Sequence, residues 1–274
     1  MRILLIGRTG QVGWELERVL PALGDVVAAD RSVLDLAEPG RIAAFLEKTK
    51  PGLVVNAAAY TAVDKAESEP ELAMRVNAQA PGALASAAKM LDALLVHYST
   101  DYVFDGEKPT PYSEDDAPHP LSAYGASKLE GERRIRASGC RHLILRTSWV
   151  YGPRGRNFYL TMKAKAGERL RVVDDQRGAP TSSRFLAEKT LALVQRRAEG
   201  LLHLVPSGHT TWCGFAREIL GPQADITPIR SDEFPAAARR PANSVLDNRR
   251  AARALGEPLA DWRELLAQCR RIPA

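Results

Sequence analysis

Tyr124 and Lys128 stand four residues apart, and Thr100 lies upstream in the run Ser99-Thr100-Asp101-Tyr102-Val103-Phe104. On a helix, positions i and i+4 project from one face about one turn apart. An ammonium beside a phenol favours phenolate and draws its pKa below the reference of about 10. A threonine hydroxyl near both can hold a carbonyl oxygen in place. Phenol, ammonium and hydroxyl together can give a proton to an alcohol or ketone oxygen, or take one from it. Tyr-x-x-x-Lys by itself also arises by chance in helices, so the elements around it decide the reading.

Those elements begin at residue 2. Arg2-Ile3-Leu4-Leu5-Ile6 reads as a strand, Gly7-Arg8-Thr9-Gly10-Gln11-Val12-Gly13 as a turn, and Trp14 to Leu20 as a helix with apolar residues at helical spacing. Glycines placed between a first strand and a first helix suit a dinucleotide pyrophosphate, which needs close backbone approach and the free N–H groups of a helix start. The spacing is G-x-x-G-x-x-G. A second apolar stretch, Val26 to Ala29, ends at Asp30-Arg31. Asp30 suits ribose hydroxyls and argues for NADH, whereas Arg31 suits a 2′-phosphate and permits NADPH. Asp35-Leu36 is placed to lie along the adenine. Leu53 to Asn56 reads as a third strand, and Ala93 to Tyr98 as a fourth that delivers Ser99-Thr100 at its carboxyl end. Ligands of open parallel sheets sit beyond such ends. Hence Gly7 to Gly13, Asp30, the Asn56-to-Tyr60 segment and Thr100 are expected around one crevice. Glu71 to Met90 reads as a helix interrupted at Pro81. Glu107 to Pro120, with four prolines, reads as a substrate-side flap.

Strand and helix patterns alternate over residues 1–150, which predicts a doubly wound α/β sheet of Rossmann type. Residues 151–274 are richer in Arg, Gly and Pro, and predict a smaller substrate-binding lobe with some segments returning to the first domain. The 274 residues suffice for a full core, and 45% hydrophobic with 26% charged residues is ordinary for a globular protein. The net charge of +5 is spread over scattered arginines rather than gathered in a stripe, which argues against nucleic acid. No apolar run approaches the roughly 20 residues of a membrane span. Residue 1 lies almost in the first strand, which leaves no room for a leader ahead of it. Cys140, Cys213 and Cys269 are widely spaced, and neither they nor the five histidines show metal-ligand spacing. The expected compartment is the reducing cytoplasm.

The glycine turn, Thr100 and Tyr124-x-x-x-Lys128 resemble the extended short-chain dehydrogenase/reductase superfamily. A more detailed resemblance, to the dTDP-4-dehydrorhamnose reductases, rests on stretches spread along the whole chain. They are Gly10 to Leu16, Asn56 to Glu67, Tyr98 to Gly106, Arg146 to Tyr151, Asp175 to Thr181, and Arg240 to Ser244. This resemblance implies reduction of a C4 keto group on a dTDP-linked sugar by NADPH, with NADH permitted. Thr100, Tyr124 and Lys128 would carry it, with Tyr124 as proton donor and Lys128 lowering the Tyr124 pKa and binding the nicotinamide ribose. Gly7, Thr9, Gly10, Gln11, Val12, Asp30, Asp35, Leu36, Ala59, Tyr60, Thr61 and Tyr98 would line the cofactor. Asp101, Tyr102 and Trp149 would touch the sugar, Trp149 through a flat apolar face. Asn157 and basic residues such as Arg177 would meet the diphosphate, although Asn157 also reads as a helix cap.

Some members of the family dimerise through a magnesium ion held by glutamates, and Glu15 could be such a ligand. Ser182-Ser183-Arg184, with no carboxylate before Glu188, argues against a metal here, and a homodimer stays open. Two other readings share these motifs. One is another sugar-nucleotide reductase, epimerase or dehydratase of the superfamily. The other is a binding partner like the regulatory subunit of methionine adenosyltransferase, against which the joint presence of Thr100, Tyr124 and Lys128 argues.

Overall fold

Strand β1 (Arg2–Ile6) alternates its side chains between two cores, and so is apolar after the exposed Arg2. Ile3 and Leu5 pack with Leu16 and Leu186 on one face, Leu4 and Ile6 with Ile42, Leu46 and Leu84 on the other. The computed structural model describes residues 1–271. After β1 come α1 (Gln11–Val19), β2 (Asp25–Ala29), α2 (Ile42–Thr49), β3 (Leu53–Asn56), α3 (Val63–Ala66), α4 (Pro70–Met74), α5 (Ala80–Met90), β4 (Leu94–Thr100), α6 (Ala123–Ser138) and β5 (His142–Thr147). The second half contributes β6 (Val150–Tyr151), α7 (Phe158–Ala164), β7 (Leu170–Val173), β8 (Arg177–Gly178), β9 (Thr181–Ser182), α8 (Ser183–Gln195), β10 (Gly200–His203), β11 (Thr210–Thr211), α9 (Trp212–Leu220), β12 (Ile226–Ile229), α10 (Arg249–Leu255) and α11 (Trp262–Arg270).

The main sheet has strand order β10-β5-β4-β3-β1-β2, with every neighbouring pair parallel. The winding direction reverses between β1 and β3, so the crevice at the carboxyl ends opens there. This is the doubly wound sheet expected. The segment after β2 turns directly toward α2, so β2 is an edge. Two returns from the second half complete this domain: α8 packs against α1, and β10 extends the other edge beside β5. The remaining short strands pair as β6 with β9, β7 with β12 and β8 with β11. They surround a second core of Tyr151, Tyr159, Phe215 and Trp262.

Two expectations change in detail. The helix over 71–90 does not break cleanly at Pro81. Pro81 sits in the first turn of α5, where its missing N–H costs nothing, and a π-helical turn over Arg75–Gln79 joins α4 to α5. The 107–120 loop is not a free flap. Tyr112 is buried, stacks on Phe104 with ring centres 4.2 Å apart, and exchanges backbone hydrogen bonds with Val245 and Asp247.

Candidate active site

The turn Gly7–Gly10 is held by the Gly7 N–H donating to Ala29 O and the Gly10 N–H donating to Gly7 O, both at 2.9 Å. Gly7 has φ +88°, and a Cβ there would come within 2.7 Å of Ala58 N. A Cβ on Gly13 would lie 2.0 Å from Gly7 O, so α1 can only approach the turn this closely through glycine. No side chain caps α1, and no acidic residue lies in its first turn. Its leading N–H groups are therefore left for an anion, and the turn around Thr9 and Gly10 is exposed. Those groups fit a dinucleotide pyrophosphate, and Gln11 and Val12 open the helix beside them.

Beyond β2, Asp30 accepts hydrogen bonds from Ser32 N at 2.9 Å and Ser32 Oγ at 2.6 Å. These bonds, the side-chain one foremost, hold its carboxyl below the usual range. Asp30 thus keeps its negative charge. Arg31 reaches into solvent with only an exposed ion pair to Asp35 at 3.0 Å. Leu36 is buried in the sheet core beside Leu34 and Ile42.

On the far side of β1, Ala59 and Tyr60 are half-buried and Thr61 is exposed along the crevice. Buried Asn77, from the π-helical turn, clasps this segment. Its Oδ1 accepts Tyr60 N–H at 2.8 Å, and its Nδ2 donates to Tyr60 O and to Ser127 Oγ on α6. The sequence reading missed Asn77; an Asn at an Ala-rich helix position is the only local signal.

α6 starts on a capped turn, with Ser122 Oγ accepting Gly125 N–H at 3.1 Å. A Cβ on Gly125 would meet Tyr102 O at 2.2 Å, so the helix start lies directly against the end of β4. Tyr124 therefore lies toward Thr100. The Tyr124 phenol is half-buried beside the Thr100 hydroxyl and edge-on to Tyr102, with ring centres 6.0 Å apart. Burial pushes its pKa up to about 12, with the Thr100 hydrogen bond opposing and Asp101 adding to the rise. The expected lowering by Lys128 is absent. The Lys128 ammonium is turned away, donating to Tyr98 O at 2.6 Å and lying 3.2 Å from His97 Nε2. Burial brings Lys128 down to about 8, against the pull of Glu132. Tyr98 supplies that carbonyl, while its phenol pairs with Thr190 on the opposite face of the sheet.

Asp101 is only 2% exposed, with its carboxyl tucked behind Thr100. Trp149 has φ +46°, a strained backbone for a bulky residue. Its ring stacks on Trp212 at 3.6 Å and 7°, so one face is already covered. Beyond this pair lies a cleft of about 940 Å³ lined by Phe158, Arg171, Trp212, Phe234, Arg239 and Arg240. That volume suits a small-molecule ligand. Lys165 and Arg169 add to the cleft's basic lining, Glu168 and Asp232 add acids, and Arg177 lies outside it. Arg240 pairs with Asp64 at 2.6 Å and also acts on Tyr102, so it joins the cleft to the Tyr124 end. Asn157 is the cap of α7, accepting Leu160 N–H at 3.0 Å. Its Nδ2 donates to Gln11 Oε1 at 2.8 Å and to Gly152 O at 3.1 Å, so it ties the start of α7 to the start of α1. Trp212 went unrecognised because nothing in its own stretch pairs it with Trp149. Glu15 is buried, and Arg18, Arg184 and Glu188 all act on its carboxyl.

The protein-family model described as the RmlD substrate binding domain matches residues 1–272. The dTDP-4-dehydrorhamnose reductase of Burkholderia thailandensis is 46% identical over 99% of this chain and 98% of its own length. Among solved structures, a dTDP-4-dehydrorhamnose reductase of Clostridium acetobutylicum superposes with a TM-score of 0.93 at 38% identity, covering 98% of each chain. The Bacillus anthracis dTDP-4-dehydrorhamnose reductase, solved in complex with NADP, superposes with a TM-score of 0.93 at 34% identity, again over 98% of each chain. This chain belongs to the dTDP-4-dehydrorhamnose reductase family, a family of nicotinamide-dependent oxidoreductases.

Proposed function

We propose that the protein reduces the C4 keto group of dTDP-4-dehydro-L-rhamnose to give dTDP-L-rhamnose, with Tyr124 as the proton donor. The observation that carries this reading is the meeting of Tyr124 and Thr100 where the glycine-turn crevice approaches the aromatic and arginine-lined cleft. When bound, the nicotinamide supplies the hydride that becomes the C4 hydrogen. The chain's own groups do the rest. Tyr124, held protonated through the neutral range, is stocked as an acid, and the alkoxide that develops at O4 is basic enough to take its proton. Thr100 orients the carbonyl from the end of β4. Lys128 has three N–H donors; one goes to Tyr98 O, the head lies 3.2 Å from His97 Nε2, and a further N–H is left for the nicotinamide ribose. Coupled turnover with NADPH and identification of dTDP-L-rhamnose by NMR test the reading. A product reduced at another carbon refutes it.

The nucleotide end of the substrate is assigned to the 940 Å³ cleft, with the thymine against Trp212 and Phe158 and the diphosphate among Arg171, Arg239 and Arg240. Base–aromatic stacking is worth about 1–3 kcal/mol. Trp212→Ala is therefore expected to raise KM for the sugar nucleotide by roughly 10-fold while the NADPH KM stays put. Equal KM values for both enzymes contradict the assignment.

NADPH is assigned as the preferred donor through Arg31, whose exposed guanidinium is free to leave Asp35 for a 2′-phosphate. Arg31→Ala is expected to lower kcat/KM for NADPH by about 10-fold, the scale of one hydrogen bond to a charged group, and to leave NADH unchanged. Parallel loss with both cofactors counts against this role.

A further inference from the structure

We propose that Asp64 is a positioning residue for the sugar nucleotide, holding the Arg240 guanidinium where it meets the phosphate attached to the sugar. The inference rests on the reductase reading above and deepens it at one end of the cleft.

Two stretches 176 positions apart in the chain meet here. Asp64 lies on α3, just after the Asn56-to-Tyr60 segment, and Arg240 ends the segment that forms one wall of the cleft. Asp64 spends both carboxylate oxygens on that wall. Its Oδ2 accepts Arg240 Nη2 at 2.6 Å, and its Oδ1 accepts Ala238 N–H at 3.0 Å. Arg240 Nη1 in turn donates to Ala238 O at 3.0 Å, so side chain and backbone close one ring of bonds. The Arg240 side chain is only 20% exposed. Its bond to Asp64, foremost, keeps that carboxyl below the usual range, so the clasp is charged at neutral pH.

The wall is tied at its other end by Ser231, whose N–H and Oγ each donate to Asp175 at 3.0 Å. Phe234 to Ala237 bridge the two ties, with Phe234 half exposed. Immediately beyond Arg240, the backbone is pressed against Gly106, where a Cβ would meet Ala242 N at 2.6 Å. Arg240 thus springs from a fixed backbone, and Asp64 sets the direction of its head.

The turn that bears Asp64 also holds the Tyr124 helix. Glu67, three residues on, accepts Ala123 N–H at 2.8 Å, at the first residue of α6 and next to Tyr124. Wall and helix are therefore referenced to one short segment. The Arg240 charge is close enough to be felt by the Tyr102 phenol, and the Tyr102 ring lies edge-on to Tyr124 with centres 6.0 Å apart. Arg171 is engaged elsewhere, with Glu233 at 2.8 Å. A sugar whose C4 lies at Tyr124 sends C1, on the opposite side of its ring, toward the cleft. The phosphate on C1 is then the first to enter, at Arg240. Of the five guanidinium N–H donors, Asp64 and Ala238 O take two and three remain for phosphate oxygens. Ordering a rotamer-rich side chain costs binding energy, and Asp64 has imposed that order before the ligand arrives.

Asp64→Asn keeps an acceptor for Ala238 N–H but removes the charge that directs Arg240. Calorimetric titration of the NADP-saturated protein with dTDP and with dTMP, which lacks the second phosphate, separates the roles. Asp64→Asn is expected to weaken dTDP by roughly 3–10-fold and dTMP by less than about 2-fold. Arg240→Gln should show the same pattern at least as strongly. The double variant should match Arg240→Gln alone, because Asp64 acts through Arg240. In turnover, Asp64→Asn should raise KM for the sugar nucleotide by the same factor as the dTDP loss, with a smaller change in kcat. Unchanged NADP affinity certifies that the variants are folded. Equal weakening of dTDP and dTMP would mean that Asp64 only holds the wall together, and overturns the proposal. So does a double variant whose losses add in full, or an Asp64→Asn protein with wild-type dTDP affinity. A wild type that shows the expected pattern yet turns over no dTDP keto sugar counts against the reductase reading, not against the role of Asp64.

Discussion

Tyr124→Phe is expected to lower kcat by roughly 10²–10⁴-fold, the usual contribution of a positioned general acid. KM for the sugar nucleotide and the affinity for NADPH should change little. The change removes one oxygen from a half-buried ring whose remaining atoms still pack edge-on to Tyr102. The Thr100 hydroxyl keeps its bonds to Asp101 and to Tyr102 N–H, so the end of β4 is not disturbed. Single-turnover rates with NADPH bound would separate the chemical step from binding. Retention of near wild-type turnover would remove Tyr124 from the mechanism and leave its place beside Thr100 unexplained.

Glu132→Ala is expected to cost about 3–5 kcal/mol of stability, because it strands a buried guanidinium. Glu132 lies on α6 one turn beyond Lys128, and is fully buried. Both its oxygens are engaged by Arg146 of β5, Nε to Oε1 at 2.8 Å and Nη2 to Oε2 at 2.7 Å. Ser99, next to Thr100 in sequence, donates to Oε1 at 2.6 Å. One carboxylate thus fastens α6 to both β4 and β5, directly behind the pair formed by Thr100 and Tyr124. Removing it leaves Arg146 facing only Phe104 and the neutral His203, whose imidazole is pushed down to about 3 by burial and by Arg146 itself. At about 2–4 °C per kcal/mol for a chain of this size class, the melting temperature should fall by roughly 10 °C. Calorimetry of wild type and variant checks this. A change within about 1 °C would mean that Arg146 finds water or another partner, and that the clamp contributes little.

The parts of the site that were legible in the sequence are those set by local chemistry. Gly7, Gly10 and Gly13 are spaced by the needs of a turn between a strand and a helix, and both clashes a Cβ would meet are close by in the fold. Tyr124 and Lys128 share a helix face because of helical geometry alone. Thr100 sits at a strand end because the apolar run Leu94–Val96, continued by His97 and Tyr98, forms β4 up to it. The rest depends on what tertiary packing brings together. Lys128 faces Tyr98 O and His97 rather than the phenol, and that follows from where β4 passes beneath α6. Trp149 lost its free face to Trp212, which lies on a distant helix. Leu36 packs into a core with Leu34 and Ile42, an outcome of tertiary contact. Arg146 and Glu132 look like surface charges in sequence. The one available clue was that Glu132 shares a helical face with the apolar residues Leu129 and Ile135.

Isotope transfer tests the central claim most directly. The protein would be given dTDP-4-dehydro-L-rhamnose and NADPH carrying deuterium at the transferable C4 position, and the sugar product examined by NMR. Direct reduction of the ketone predicts dTDP-L-rhamnose with deuterium at C4 of the sugar and none elsewhere. Product without deuterium, deuterium at another carbon, or oxidation of NADPH with the sugar unchanged would contradict the account.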